Sequence, residues 1–117
     1  MMTGTNRNLT DALRFREACA LYLNIAGLDD AEARPMRRKV SEGIGDSAAD
    51  VTGVPGWFLA TSSRATFRIG GDLDAAHEEA EDGQLVALVQ HRRERSLGDS
   101  LVVLTLSDFA RLTVPTP

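Results

Sequence analysis

The stretch that most constrains the fold is residues 50–63, which predict two short strands joined by a tight turn. Residues 50–54 alternate weakly between polar and apolar side chains, and residues 57–61 are apolar and aromatic. Pro55 and Gly56 lie between them. Proline fixes φ near about −65°, and glycine supplies the positive φ that a type II turn requires. A β-hairpin with an aspartate at its opening is therefore expected.

The N-terminal part of the chain predicts one long helix. Asn8 is a suitable N-cap, and apolar residues at i, i+3 and i+4 spacings continue to about Ala26, so one face of the helix is buried. Cys19 lies on that face. We interpret it as a small core residue, because nothing nearby in the sequence suggests an activated thiolate.

Between this helix and the hairpin, the sequence predicts irregular structure around one strand. Residues 28–33 are interpreted as an acidic loop and residues 35–40 as a short edge strand. The Gly- and Ser-rich residues 41–49 are expected to form a mobile loop. After the hairpin, residues 62–71 are either a third strand or a loop, which the glycine pair at its end would break.

The second half of the chain predicts a helix between strands. A polar helix begins at Asp72 or Asp74 and is expected to lie outside the sheet. Residues 85–90 and 101–106 are continuous apolar runs, typical of buried strands. Ser107 is expected to cap a last helix. The order α-β-β-β-α-β-β-α, with a parallel crossover after the hairpin, predicts a single α/β domain with a mixed central sheet and flanking helices. The domain would span residues 8–112, with flexible tails at residues 1–7 and 113–117.

Charge and cysteine content limit the classes of function. The net charge is −4 and the isoelectric point about 5.1, which argues against a general phosphate-binding surface but leaves room for a local basic patch. The single cysteine cannot form an internal disulfide, so a reducing cytoplasm is expected. Residues 1–8 lack the features of a secretory signal, and no apolar run is long enough for a membrane span, so no membrane partner is expected.

One family shares this arrangement. Residues 49–59, Ala-Asp-Val-Thr-Gly-Val-Pro-Gly-Trp-Phe-Leu, resemble the Gly-Asp-Ile-x-Gly-Ile-Pro-Gly segment of small Holliday-junction-resolvase-like nucleases of actinobacterial phages. These nucleases belong to the PD-(D/E)XK superfamily. Gly98 and Asp99, the valine-rich run after them and Phe109 are similar to the family's C-terminal part. The resemblance covers roughly residues 9–112. It implies a restriction-endonuclease or resolvase-like fold, a phage or prophage origin and a homodimer formed through the second helix or an edge strand.

The same resemblance implies that catalysis has been lost. In the family, the strand after the turn carries Glu-x-Lys, whose glutamate joins the aspartate as a Mg²⁺ ligand and whose lysine acts on the attacking water. The matching positions here are Ala60 and Ser62, and the only lysine of the chain is Lys39. Asp50 would be a remnant that caps a turn, and Glu17 a possible second remnant. We therefore expect no enzymatic activity, no bound metal and no cofactor.

Two non-enzymatic functions remain open. The domain could bind branched or duplex DNA through arginines near the hairpin, or it could be a protein-interaction module or inhibitor that engages a host or phage protein. The same arginines could equally form an ordinary solvated surface. His77 and His91 have no metal-ligand spacing and are interpreted as surface residues. The candidate DNA-binding residues are Arg37, Arg38, Arg64, Arg68, Arg92, Arg93 and Arg95.

Overall fold

The computed structural model describes residues 4–35 and 49–115, with side chains described from residue 10 onward. The edge strand predicted at residues 35–40 and the loop predicted at residues 41–49 fall almost wholly outside the described residues.

Within the described ranges the secondary structure follows the predicted order. The helices are α1 (Gly4–Ala26), α2 (Ile69–Glu79) and α3 (Leu106–Thr113). The strands are β1 (Glu32–Ala33), β2 (Val51–Thr52), β3 (Trp57–Ser62), β4 (Leu85–Gln90) and β5 (Leu101–Val103). A 3-10 turn at Leu97–Asp99 precedes β5. The described elements follow the order α-β-β-β-α-β-β-α, but the first strand is β1 and not the segment predicted at residues 35–40, which falls almost wholly outside the described residues.

The strands form one mixed sheet in the order β1-β2-β3-β4-β5. β3 and β4 are parallel and in register from Trp57 opposite Leu85 to Ser62 opposite Gln90, whereas the other neighbours are antiparallel. A parallel pair needs a crossover, and α2 provides it. The predicted single α/β domain with a mixed sheet and flanking helices is confirmed.

The core consists of two clusters on opposite faces of the sheet. Because side chains alternate along a strand, Leu59 and Ala87 face α1, while Phe58, Val86 and Leu88 face α2. β4 is buried on both faces, as its continuous apolar sequence predicts. The α1 cluster contains Phe15, Cys19, Ala20, Ala31, Val51, Leu59 and Ala87, and the α2 cluster contains Ala49, Phe58, Leu73, Ala76, Val86 and Leu88.

The turn of the hairpin is confirmed. Gly56 has φ of 82°, and the Trp57 amide donates to the Val54 carbonyl at 3.1 Å, as in a hydrogen-bonded type II turn. β2 is only two residues long, but it joins the hairpin to β1 and so sets where Asp50 lies.

Two predictions in the N-terminal half are wrong. Helix α1 begins at Gly4 rather than at Asn8, since no proline interrupts the residues between them. The segment interpreted as an acidic loop contains β1, in which Glu32 lies opposite Thr52 and Ala33 opposite Val51. Pairing with β2 decides this local structure, and the acidic composition of the segment does not.

The start of α2 also differs from the prediction. The helix begins at Ile69, so Gly70 and Gly71 lie in its first turn and do not break it. Glycine weakens a helix by about 1 kcal/mol relative to alanine, whereas Leu73 and Ala76 anchor α2 against the sheet. Tertiary packing therefore outweighs the local glycine preference.

The C-terminal strand is shorter than predicted. β5 ends at Val103 and is an edge strand, so Val102 is 61% exposed, while Leu106 is 81% exposed at the start of α3. Thr105, rather than Ser107, caps α3 by accepting a hydrogen bond from the Asp108 amide at 3.1 Å. The buried Asp108 carboxylate in turn accepts from the Val86 amide at 3.1 Å, which attaches α3 to β4.

Candidate functional site

A cavity of about 870 Å³ lies at the carboxyl ends of the parallel strands β3 and β4, between α1 and α2. In α/β sheets this is the position at which ligands commonly bind. Charged side chains dominate the lining: five arginines, Arg16, Arg34, Arg64, Arg68 and Arg93, against four carboxylates, Asp11, Asp50, Asp72 and Glu79. The remaining lining combines small residues, hydroxyl side chains and two buried apolar side chains, Phe58 and Leu88.

Both oxygens of the Asp50 carboxylate are engaged by the protein. Oδ1 lies 2.6 Å from Nη2 of Arg16 and 3.4 Å from Nη2 of Arg34. Oδ2 accepts from the Thr61 amide at 2.7 Å and from the Thr61 hydroxyl at 3.3 Å. Asp50 thus joins α1, the segment after β1, and β3. Its role extends well beyond the turn cap inferred from sequence.

Arg16 is the buried partner in this arrangement. Its side chain is 7% exposed, and Nη1 donates to the Arg34 carbonyl at 2.6 Å. The pKa of Arg16 is lowered, chiefly by burial; the Asp50 carboxylate opposes this shift, and the Arg34 guanidinium adds to it. The guanidinium nonetheless stays protonated at neutral pH, because arginine titrates far above it. A permanent buried cation therefore faces the Asp50 carboxylate.

The residues at the other positions where the resemblance implies catalytic groups do not fit a Mg²⁺ site. Ala60 and Ser62 both line the cavity, but neither offers a carboxylate or an amine. Glu17 is exposed on α1 and is not among the lining residues. Across residues 4–35 and 49–115, no group of three or more His, Cys, Asp or Glu side chains lies close enough together to hold a metal ion.

The candidate DNA-binding arginines divide into three sets. Arg64, Arg68 and Arg93 line the cavity. Arg92 and Arg95 belong to the turn after β4 but lie outside the lining. Arg37 and Arg38 lie outside the described residues. Arg64 is 3.5 Å from Asp72, whereas Arg68 and Arg93 have no acidic partner in the described part of the chain.

The cysteine and the two histidines make contacts with neighbouring side chains of the folded protein. Cys19 is buried in the α1 cluster, which confirms its interpretation as a core residue. Burial and, secondarily, the Asp50 carboxylate raise the pKa of its thiol to about 12, so it stays protonated at neutral pH. His77 is exposed as predicted, 3.6 Å from the Asp108 carboxylate. His91 is half-buried and packs on Phe15 with ring centroids 5.0 Å apart, so the prediction of a surface residue is wrong for it.

Sequence reasoning missed Arg16 and Arg34. Arg16 carried a usable signal: it lies four residues from both Ala12 and Ala20, on the face of α1 that the apolar pattern predicts to be buried. A charged residue at such a position needs a buried partner. Arg34 carried no comparable signal, because its position follows from β1, which the sequence did not indicate.

Comparison with known proteins gives no relative. No family model, curated protein or solved structure matches the chain. The homodimer implied by the resemblance therefore stays a prediction. Among the described helices, none has the length and apolar character required to cross a membrane.

Proposed function

We propose that the protein is a nuclease-like domain without catalytic activity, which binds nucleic acid through the arginines around its cavity. The proposal joins the resemblance of residues 49–59 to resolvase-like nucleases with the mixed α/β sheet and its carboxyl-end cavity. Branched DNA and duplex DNA are the ligands that this resemblance suggests.

The observation that carries the proposal is the set of contacts that the Asp50 carboxylate makes within the protein. A nuclease of this type would give the carboxylate to a metal ion, whereas here the Arg16 guanidinium lies 2.6 Å from Oδ1 and Thr61 donates twice to Oδ2. A divalent cation would have to displace a buried arginine whose charge would then lack its partner, which is costly. The former catalytic carboxylate thus serves to hold α1 against the hairpin.

The basic side chains for nucleic-acid binding are those without a partner of their own. Arg68 and Arg93 are exposed, line the cavity and pair with no acid among the described residues. Arginine donates to phosphate oxygens in a bidentate geometry, so two such side chains beside one cavity are suited to phosphate. The overall charge of −4 opposes binding at a distance. We therefore expect moderate affinity confined to this face.

The test is a titration of the protein with a four-way DNA junction at several salt concentrations. Counterion release predicts that log K falls linearly with log salt, with a slope of about −0.9 per phosphate contact. The double variant Arg68→Ala/Arg93→Ala should bind more weakly, with a slope shallower by about 2. Arg14→Ala is the control, because Arg14 is exposed but lies outside the cavity.

Two results would count against nucleic-acid binding. One is the absence of any complex at low salt, and the other is a double variant that binds like the unmodified protein. Either result would favour the second candidate, a protein-interaction module. The acidic outer face of α2 is the observation that favours this alternative, since Asp74 and Glu78 are exposed there and lie outside the cavity lining.

A further inference from the structure

The cavity has an apolar floor that phosphate contacts alone would not require. Phe58, Leu88 and Ala76 line its inner end but are only 3%, 1% and 4% exposed, so the apolar surface open to a ligand comes chiefly from the small side chains of Ala12, Ala60, Ala65 and Ala75. The volume of about 870 Å³ lies within the range of roughly 300–1,000 Å³ typical of small-molecule sites. A ligand with an apolar or aromatic part can therefore enter between the two helices.

Small side chains on β3 leave this space open. Ala60 and Ser62 lie at the positions where the resemblance implies a glutamate and a lysine, and both face the cavity. Ala60 packs at the edge of the cluster that contains Phe58 and Leu88. The long side chains of a catalytic pair would project into the volume beside these residues. The replacements that remove the catalytic groups therefore also leave room for a ligand.

The rim supplies the complementary polar groups. Arg68 and Arg93 offer guanidinium donors at the cavity, and Ser63 and Thr66 contribute hydroxyl side chains to the same lining. Asp50 is bound by Arg16 and Arg34. Oδ1 of Asp72 lies 3.5 Å from Arg64, but its Oδ2 is buried without a hydrogen-bond partner among the described residues, and Asp11 and Glu79 are exposed acceptors. A ligand would satisfy all three sets of groups if it placed an anion at the arginines, a flat ring on the apolar floor and hydroxyl or amino donors toward the acids.

From this combination we infer that the cavity binds a single nucleotide, either free or as an unpaired nucleotide of a DNA strand. The inference deepens the proposed function and rests on it, because it assigns the cavity to a base and sugar and the rim to phosphate. The phosphate partners would be arginine side chains, not the glycine-rich loop and helix N-terminus used in phosphate-binding loops.

Calorimetric titration with thymidine 5′-monophosphate, thymidine and inorganic phosphate tests the inference. The monophosphate should bind at least tenfold more tightly than thymidine or phosphate alone, because only it reaches both floor and rim. Ala60→Leu should weaken its binding at least tenfold by filling the cavity. Ala110→Leu, an equal enlargement on the exposed face of α3, should leave it unchanged. Arg68→Ala, at an exposed position that folding tolerates, should weaken the monophosphate about tenfold and leave thymidine unaffected.

Two further ligands distinguish a free nucleotide from one carried by a DNA strand. They are a continuous duplex and the same duplex with one unpaired thymidine. If the protein binds the second duplex more tightly than the first, and Ala60→Leu loses this difference, the site takes a nucleotide carried by a strand. If the protein binds both duplexes equally and also binds the monophosphate, the site takes a free nucleotide. Phosphate that binds as well as the monophosphate would overturn the inference. If the junction binds with the expected salt dependence but the monophosphate does not, the inference fails while the proposed function stands.

Discussion

Replacing Asp50 with alanine is expected to lower the free energy of unfolding by about 3 kcal/mol and the melting temperature by about 10 °C. Removing one partner of a buried ion pair leaves the other charge uncompensated, and the Arg16 side chain is only 7% exposed. The Thr61 amide also loses its acceptor. Thermal and urea unfolding followed by circular dichroism would measure both quantities.

Asp72→Ala is the matched control for this change. It also removes a cavity carboxylate near an arginine, but Arg64 is 53% exposed at a distance of 3.5 Å. Solvent-exposed pairs contribute about 0–1 kcal/mol, so this variant should unfold close to the unmodified protein. If Asp50→Ala were as stable as Asp72→Ala, the contacts of Asp50 would not be what holds α1 against the hairpin.

A double-mutant cycle separates the ion pair from the other contacts of Asp50. Arg16→Met alone should destabilise the protein, because the Asp50 carboxylate then keeps its hydrogen bonds from Thr61 but only the longer 3.4 Å contact to Arg34 as a cationic partner among the described residues. Adding Asp50→Ala to Arg16→Met should then cost much less than Asp50→Ala alone, with an interaction energy of about 1 to 3 kcal/mol. Additive effects would show that the two side chains do not depend on each other.

Gly53→Ala is expected to be at least as damaging, with a loss of about 4 kcal/mol or more. Gly53 has φ of 81°, and a Cβ there would lie 1.8 Å from the Asp30 carbonyl oxygen and 2.5 Å from its carbon. No side-chain rotation can relieve a clash with backbone, so β2 would have to move away from the segment before β1. The Arg34 contact to Asp50 depends on that pairing and would weaken with it.

Two other glycines separate the effect of positive φ from the effect of the clash with Asp30. Gly56 has φ of 82° but open space around its Cβ position, so Gly56→Ala should cost only the left-handed backbone penalty of about 1–2 kcal/mol. Gly70 lies in α2 with open space and no positive φ, so Gly70→Ala should stabilise the protein by about 0.5–1 kcal/mol. Equal losses at Gly53 and Gly56 would refute the close approach to Asp30.

The elements that the sequence predicted correctly are those with strong local patterns. β4 matches its prediction at both ends, because its continuous apolar run is bounded by polar residues and is typical of a strand that packs on both faces of a sheet. The hairpin turn follows from Pro55 and Gly56, whose backbone preferences are local. Because β3, β4 and the helix α2 between them were all recognised in the sequence, the parallel crossover could also be predicted.

The features that sequence could not provide depend on tertiary pairing. Arg16 and Asp50 are 34 residues apart, and only the packing of α1 on the sheet brings them together. β1 forms because β2 offers it an edge, and its two residues carry no strand pattern of their own. The location of Asp50, Ala60 and Ser62 at one cavity follows from the hairpin. Of the five arginines that line this cavity, Arg64, Arg68 and Arg93 were among the sequence candidates, whereas Arg16 and Arg34 were missed.

We propose above that this cavity binds nucleic acid without cutting it. The most direct measurement is incubation of the protein with an end-labelled four-way junction and Mg²⁺ or Mn²⁺, analysed in parallel on native and denaturing gels. We expect a retarded complex on the native gel and full-length strands on the denaturing gel. Shortened strands that form with the unmodified protein and disappear with Asp50→Asn would contradict this proposal.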